Sequence, residues 1–218
     1  APLGLFKCII LGLLISVLIL NIGLSLWVLP SVLDTPFSLR LGGVHPLLGI
    51  EFLIDAFAVF FSIFIMSLGF VVLLFAFRYV DKPLKNAPTE SYYGLISLLF
   101  FGMVGLLYTN DLFNMYVLIE ILSIATCAMI SMARTKRSYM AAFRYLMLNE
   151  LASLSFLFGV VLIYMVTGSL NMTAIFTQME SAYAAYPINI TLAIGFMGVG
   201  LAMKTAIFPF HEWLPDAY

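Results

Sequence analysis

Charge is scarce in this sequence. Only 10% of its 218 residues are charged, against about 25% in soluble proteins, while 63% are hydrophobic and the mean hydropathy is +1.10. This composition excludes an ordinary soluble domain and predicts a polytopic membrane protein. The net charge of −1 identifies no soluble partner, and we expect no nucleic-acid partner.

Cysteine is equally rare. Cys8 and Cys127 both lie in apolar runs without metal-ligand spacing, so the sequence predicts two small buried side chains and no metal site. The glycines form no nucleotide-binding pattern. We therefore predict no cofactor and no catalytic residue, and we expect any redox catalysis to reside on other chains.

What the sequence does contain is a series of long apolar runs. A spanning helix needs about 20 predominantly apolar residues, and six runs meet that requirement. The predicted spans cover residues 8–29, 52–77, 92–108, 112–132 and 139–166, and a last span begins near residue 188. We expect Pro30 to end the first span, Asp111 or Asn110 to cap the fourth, and a short amphipathic segment to fit in the loop before the last.

Lysine and arginine concentrate in alternate loops. One side of the predicted bundle carries Lys7, Arg78, Lys82, Lys85, Arg134, Lys136, Arg137 and Arg144, whereas the other side carries Arg40 alone. Because basic loops stay in the cytoplasm, the fourth and last spans both run from outside to inside. We predict a multi-pass protein of the inner (cytoplasmic) membrane.

The last apolar run contains a lysine. A charge such as Lys204 near the middle of a span costs roughly 2.5 to 3.5 kcal/mol. Pro209 has no N–H, and its ring would clash with the carbonyl of Thr205, so the helix should break beside the lysine. Polar groups released by such a break are tolerated only inside protein or a water-filled cavity, which predicts an internal hydrated site.

Glu120 is the obvious partner for this lysine. It lies in the fourth span, about 12 Å along the helix axis. Intramembrane carboxylates are functional by default, and pairing with Lys204 would favour the charged form of each group while desolvation opposes it. The residues leave two interpretations open: a coupled pair that moves a proton, or a static ion pair that locks two helices together.

The other ionisable residues near the membrane are less decisive. Glu150 in the fifth span is either a further relay carboxylate or the partner of Arg144. His211, beyond the predicted break, is either a proton carrier near neutral pH or a packing residue. We expect Glu51 and Asp55, at the outer start of the second span, to act as interfacial caps, because a helix N-terminus favours negative charge.

Two motifs carry a resemblance to a known family. NDLFNMYVLIEILS (110–123) followed by KTAIFPFHEWLPDAY (204–218), with VTGSLNM (166–172) between them, resembles the antiporter-like subunits of Mrp-type cation/proton antiporters, respiratory complex I and membrane-bound hydrogenases. The resemblance implies that Glu120 matches the family's key glutamate and Lys204 the lysine of its discontinuous helix. Tyr218 and the segment 206–208 depart from the commoner pattern, and no role is carried onto Glu150.

The resemblance also implies a fold and a function. The fold would be all-α, with fourteen helices that include two inverted five-helix repeats. Residues 1–218 would be a single transmembrane domain, the N-terminal half of such a subunit and a fragment of it. The expected function is translocation of protons, sodium ions or both, as a non-catalytic subunit of a redox-driven complex or of an Mrp-type antiporter. The expected partners are other membrane subunits and the lipid bilayer. The alternative is a structural subunit whose charges only hold helices together.

Overall fold

The computed structural model describes residues 2–41, 49–79 and 89–217 and shows a helical membrane bundle. Its elements are α1 (Pro2–Asp34), β1 (Phe37–Arg40), β2 (Glu51–Ile54), α2 (Ala56–Tyr79), α3 (Thr89–Tyr108), α4 (Leu112–Ser131), α5 (Lys136–Thr167), α6 (Met172–Ala185), α7 (Pro187–Lys204) and α8 (Leu214–Ala217). Within the described residues, α1 to α5 and α7 are long and apolar enough to cross a membrane. The all-α class and the six predicted spans are confirmed.

The helices pack around two apolar clusters. One joins α1, α2 and α3 through Leu11, Leu18, Met66, Leu73, Tyr93 and Ile96. The other joins α4 to α7 through Leu112, Phe156, Val160, Ile163, Ile175, Ala182, Ile190 and Ala193. Glycines allow α5 and α7 to approach closely, since a Cβ added at Gly159 would meet the carbonyl oxygen of Ala193 at 2.6 Å. Small residues serve this purpose widely in membrane bundles, where close backbone contact replaces the hydrophobic effect.

A β-hairpin precedes the second span, where the sequence prediction was wrong. β1 and β2 are antiparallel, with Phe37 opposite Ile54 and Arg40 opposite Glu51. We predicted that the span begins at Phe52, but α2 begins only at Ala56. A short apolar run such as 52–54 has the same composition in a strand and in a helix, which explains the error. Loop residues 42–48 and connector residues 80–88 lie outside the described part of the chain.

One predicted helix boundary is wrong and another is confirmed. Pro30 does not end α1, which continues to Asp34. Proline is tolerated inside membrane helices, where it removes the bond to the carbonyl four residues before it, here that of Leu26. Ser31 beside it donates its hydroxyl to the carbonyl of Val28 at 2.7 Å. Asp111 caps α4 as predicted, because its carboxylate accepts the backbone N–H of Asn114 at 2.7 Å. The loop before the last span holds α6, a helix of 14 residues.

Candidate ion-translocation site

The last span is discontinuous at the predicted place. α7 ends at Lys204, and residues 205–213 form turns rather than helix before α8 begins. Pro209 lies in this stretch and has no N–H to give to the carbonyl of Thr205, so a continuous helix would lose a bond there. Lys204 is therefore the last helical residue of α7, and its side chain projects from the edge of the break.

Trp213 closes the broken segment against the bundle. Its indole N–H donates to the carbonyl oxygen of Met203 at 3.1 Å. Its ring packs edge-on against Tyr145 of α5, with ring centroids 5.2 Å apart. A carbonyl near the end of α7 is thus satisfied by protein. The sequence alone indicated no separate role for Trp213, although a buried tryptophan generally needs a partner for its N–H.

The side chains of Glu120 and Lys204 lie close together inside the bundle. Lys204 Nζ is 3.7 Å from Glu120 Oε1, and the two side chains are only 12% and 16% exposed for the lysine and glutamate respectively. The same ammonium donates a hydrogen bond to Ser123 Oγ at 2.5 Å. The break in α7 thus places the Lys204 ammonium beside Glu120 and Ser123 on one face of α4.

Glu150 completes a cluster of three ionisable groups. It lies close enough to Glu120 and Lys204 for the charges of both to act on it. Whether Glu150 acts as a relay carboxylate or pairs with Arg144 stays a prediction. The cluster joins α4, α5 and α7, three of the four helices around the second apolar cluster.

His211 differs from the residues of this cluster because its side chain is exposed. It is exposed in the non-helical stretch, and its ring stacks loosely on Phe208 with centroids 5.7 Å apart. Pro209 beside it is also exposed. The structure therefore brings Glu120, Lys204 and Glu150 together and leaves His211 at the surface of the described chain.

Glu51 occupies a second polar site at the other end of α4. It was predicted to be a helix cap, which is wrong, because it lies in β2 and Asp55 alone caps α2 through the N–H of Ala58. Glu51 is 8% exposed. Its Oε2 accepts hydrogen bonds from the side-chain amides of Asn110 at 3.1 Å and Asn171 at 2.6 Å. We call these three residues the polar joint.

The polar joint connects three parts of the chain. The backbone N–H of Asn110 donates to the carbonyl of Glu51, and the N–H of Met172 donates to the carbonyl of Asn110, both at 2.9 Å. Leu112 is bonded to Leu170 in the same way at 2.9 Å. The joint therefore fixes the start of α4 relative to the end of α5, and these two helices carry Glu120 and Glu150.

Replacing Glu51 with glutamine should destabilise the protein at neutral pH and reduce its loss of stability in acid. Burial by itself raises the pKa of Glu51, but hydrogen bonds from its neighbours and the charge of Arg40 outweigh burial and hold the pKa below its usual value. Such a carboxylate stabilises the fold above its unfolded pKa of about 4.3, and this contribution is lost as the pH falls through the lower folded pKa. We expect Glu51→Gln to cost about 1 to 3 kcal/mol at pH 7.

The measurement is the melting temperature of the full-length protein in detergent between pH 3 and 7. The readout is the difference in melting temperature between Glu51→Gln and the unsubstituted protein at each pH. Burial raises the pKa of Asp111, but its contribution is the same in both proteins and cancels in this difference. Asp55→Asn keeps a capping oxygen and serves as the matched control. If the difference between Glu51→Gln and the parent protein did not shrink in acid, the assigned role of the carboxylate would be wrong.

Comparison with known proteins shows the family to which the chain is similar. A family model described as NADH:quinone oxidoreductase/Mrp antiporter, TM, matches residues 109–218, just over half of the chain. The chain is 38% identical over 185 residues to NADH-quinone oxidoreductase subunit N of Desulforudis audaxviator, covering 84% of this chain and 36% of that protein. It is 32% identical over 180 residues to a Na(+)/H(+) antiporter subunit of Alkalihalophilus pseudofirmus, covering 83% and 36%.

A solved structure shares the fold. A chain of the archaeal membrane-bound sulfane sulfur reductase, a respiratory membrane complex, superimposes with a TM-score of 0.85 at 31% identity, covering 95% of this chain and 42% of that one. The present chain spans a little over a third of the length of the two curated relatives.

Proposed function

The chain belongs to the NADH:quinone oxidoreductase/Mrp antiporter transmembrane family, and from this premise we propose that it translocates ions through Glu120, Glu150 and Lys204. The observation that carries the proposal is the 3.7 Å approach of Lys204 Nζ to Glu120 Oε1 at the break in α7. The subunit would work in the inner (cytoplasmic) membrane with other membrane subunits of a multisubunit complex. Protons are the proposed ions, with sodium as the alternative that the name of the antiporter relative supports.

The proposed mechanism converts movement into protonation. While Lys204 lies beside Glu120, the ammonium stabilises the carboxylate. When Lys204 moves away along its broken helix, Glu120 loses the positive charge and binds a proton. At an effective dielectric constant of about 20, a contact at 4 Å is worth about 4 kcal/mol before desolvation, or roughly a thousandfold in proton binding. A redox partner or a sodium gradient would drive the movement.

Glu150 gives the proton a next position. A hydrogen bond between two carboxyl groups requires a proton on one of them, because an ionised carboxylate only accepts. The proximity of Glu150 to Glu120 therefore supports transfer from α4 to α5 when Lys204 is displaced. His211, exposed beyond the break, is proposed as a carrier between the break and solvent, since a neutral imidazole has one nitrogen that donates a proton and one that accepts it.

Transport in vesicles tests the proposal. The full-length subunit is reconstituted with its complex, and proton movement is followed with an entrapped pH-sensitive dye while a sodium or proton gradient is imposed. We expect Glu120→Gln and Lys204→Ala each to lose most of the transport, because each removes one member of the pair. Glu180→Gln, which alters an exposed carboxylate on α6, is the control and should transport normally. Near-normal transport in both test variants would overturn the proposal.

A further inference from the structure

Ser123 lies closer to the Lys204 ammonium than Glu120 does. The Nζ–Oγ distance is 2.5 Å, whereas Nζ lies 3.7 Å from Glu120 Oε1. A charge-assisted hydrogen bond from an ammonium to a carboxylate is about 2.7 to 2.9 Å long. The contact with Glu120 is therefore longer than a hydrogen bond, and Glu120 Oε1 accepts no hydrogen bond from the residues that the structure describes. In this arrangement the lysine is held by a neutral hydroxyl.

The local structure of α4 prepares Ser123 for this contact. Ser123 is 3% exposed and lies three residues after Glu120, so both side chains project from the same face of the helix. Its hydroxyl donates to the carbonyl of Ile119 at 3.0 Å. Because that bond uses the only proton of the hydroxyl, the oxygen presents lone pairs to the lysine.

We infer that Ser123 is a positioning residue that holds Lys204 in a second position, one helical turn along α4 from Glu120. This inference rests on the proposed function of the Glu120 and Lys204 pair. A hydroxyl binds an ammonium without neutralising its charge, so a lysine that leaves the carboxylate still has a hydrogen-bond acceptor inside the bundle. Ser123 thus competes with Glu120 for Lys204 and sets how readily Glu120 is released to bind a proton.

Removing the hydroxyl should change the pH dependence of transport. In Ser123→Ala the ammonium has lost its alternative acceptor and stays with Glu120, so a higher proton concentration is needed to protonate the glutamate. We expect the midpoint of the pH profile to move to lower pH by about one unit, since hydrogen bonds to charged groups are worth about that much. Further titratable groups near this site are Tyr116 and Cys127 on α4 and Glu150 on α5. All three are unchanged in the variant.

Two further variants separate positioning from packing. Ser123→Thr keeps a hydroxyl in the same bonding pattern, as Thr126 shows on the same helix, and should restore the parent midpoint. Ser153→Ala is the matched control, because Ser153 is 1% exposed and its hydroxyl donates to the Asn149 carbonyl at 3.0 Å. It should leave the midpoint in place.

The experiment measures dye-reported proton transport between pH 5 and 9 in vesicles containing the full-length complex. Glu120→Gln is included in every series. If Glu120→Gln abolishes transport while Ser123→Ala keeps the parent midpoint, the inference about Ser123 is wrong and the proposed function stands. If Glu120→Gln and Lys204→Ala both transport normally, the proposed function itself fails. Should Ser123→Ala not accumulate, Ser123→Cys fills the same space with a weaker acceptor and must show the same acid shift, or the inference is overturned.

Discussion

Gly200→Ala should force α5 and α7 apart and sharply lower the stability of the protein. A Cβ at this position would lie 2.6 Å from the carbonyl oxygen of Ala152 and 2.8 Å from the backbone nitrogen of Phe156. These are backbone atoms of α5, so no side chain can rotate away to make room. We expect a loss of at least about 1 to 3 kcal/mol, the usual cost of overpacking a rigid interior. Gly200→Leu should prevent accumulation altogether.

The same helix supplies the control for this prediction. Gly198 has no described atom within 4 Å of the position that a Cβ would take. Gly198→Ala should therefore be neutral or stabilising by up to about 1 kcal/mol, because alanine is the better helix former. The measurement is the melting temperature of the full-length protein together with its amount in the membrane. Equal melting temperatures for the two alanine variants would contradict the packing described for Gly200.

The same contact connects stability with the ion-translocation site. Gly200 lies one turn before Lys204 on α7, and Ala152 and Phe156 lie soon after Glu150 on α5. A displacement of α7 would therefore move the ammonium relative to both carboxyls. We expect Gly200→Ala protein that does assemble to transport less per molecule than the parent protein. Gly198→Ala should transport as much per molecule as the parent.

The spans and the break could be predicted from the sequence because each has a local cause. A run of about 20 apolar residues has the length of a membrane helix, and a proline five residues after Lys204 removes a helical hydrogen bond. The hairpin had no such cause in the sequence. Residues 52–54 continue the apolar run of the second span, and only pairing with β1 across the loop shows that they form a strand. That residues 1–218 form one domain stays a prediction.

How well the polar contacts could be predicted depended on the distance between the partners along the chain. Glu120 could be matched with Lys204 because a charge within the membrane needs a partner and few are available. Glu51 was misassigned because the helix-cap argument considered only its neighbours, whereas its amide partners lie 59 and 120 residues away. The partner of Glu150 could not be chosen from the sequence, because it depends on how α4 and α5 cross. Ser123 was missed, although its spacing of three residues from Glu120 was a visible signal.

The double variant Glu120→Gln/Lys204→Met should be stable and assembled yet unable to transport ions. Each single substitution leaves one buried charge without its counter-charge, which typically costs about 3 to 5 kcal/mol. The double substitution removes both charges and replaces them with neutral side chains of similar size, so most of the lost stability should return. Transport should not return, because neither residue can then bind a proton or carry the positive charge that controls proton binding.

This combination distinguishes ion translocation from the structural alternative. If the two charges only hold α4 against α7, the double variant should recover stability and transport together. Melting temperature, assembly into the complex and dye-reported transport are therefore measured on one preparation of each protein. Recovery of transport in the double variant would contradict the proposed mechanism and leave a structural role for the pair. Recovered stability without transport is the result we expect, because helix packing needs only that no buried charge be unpaired, whereas proton movement needs both groups to change state.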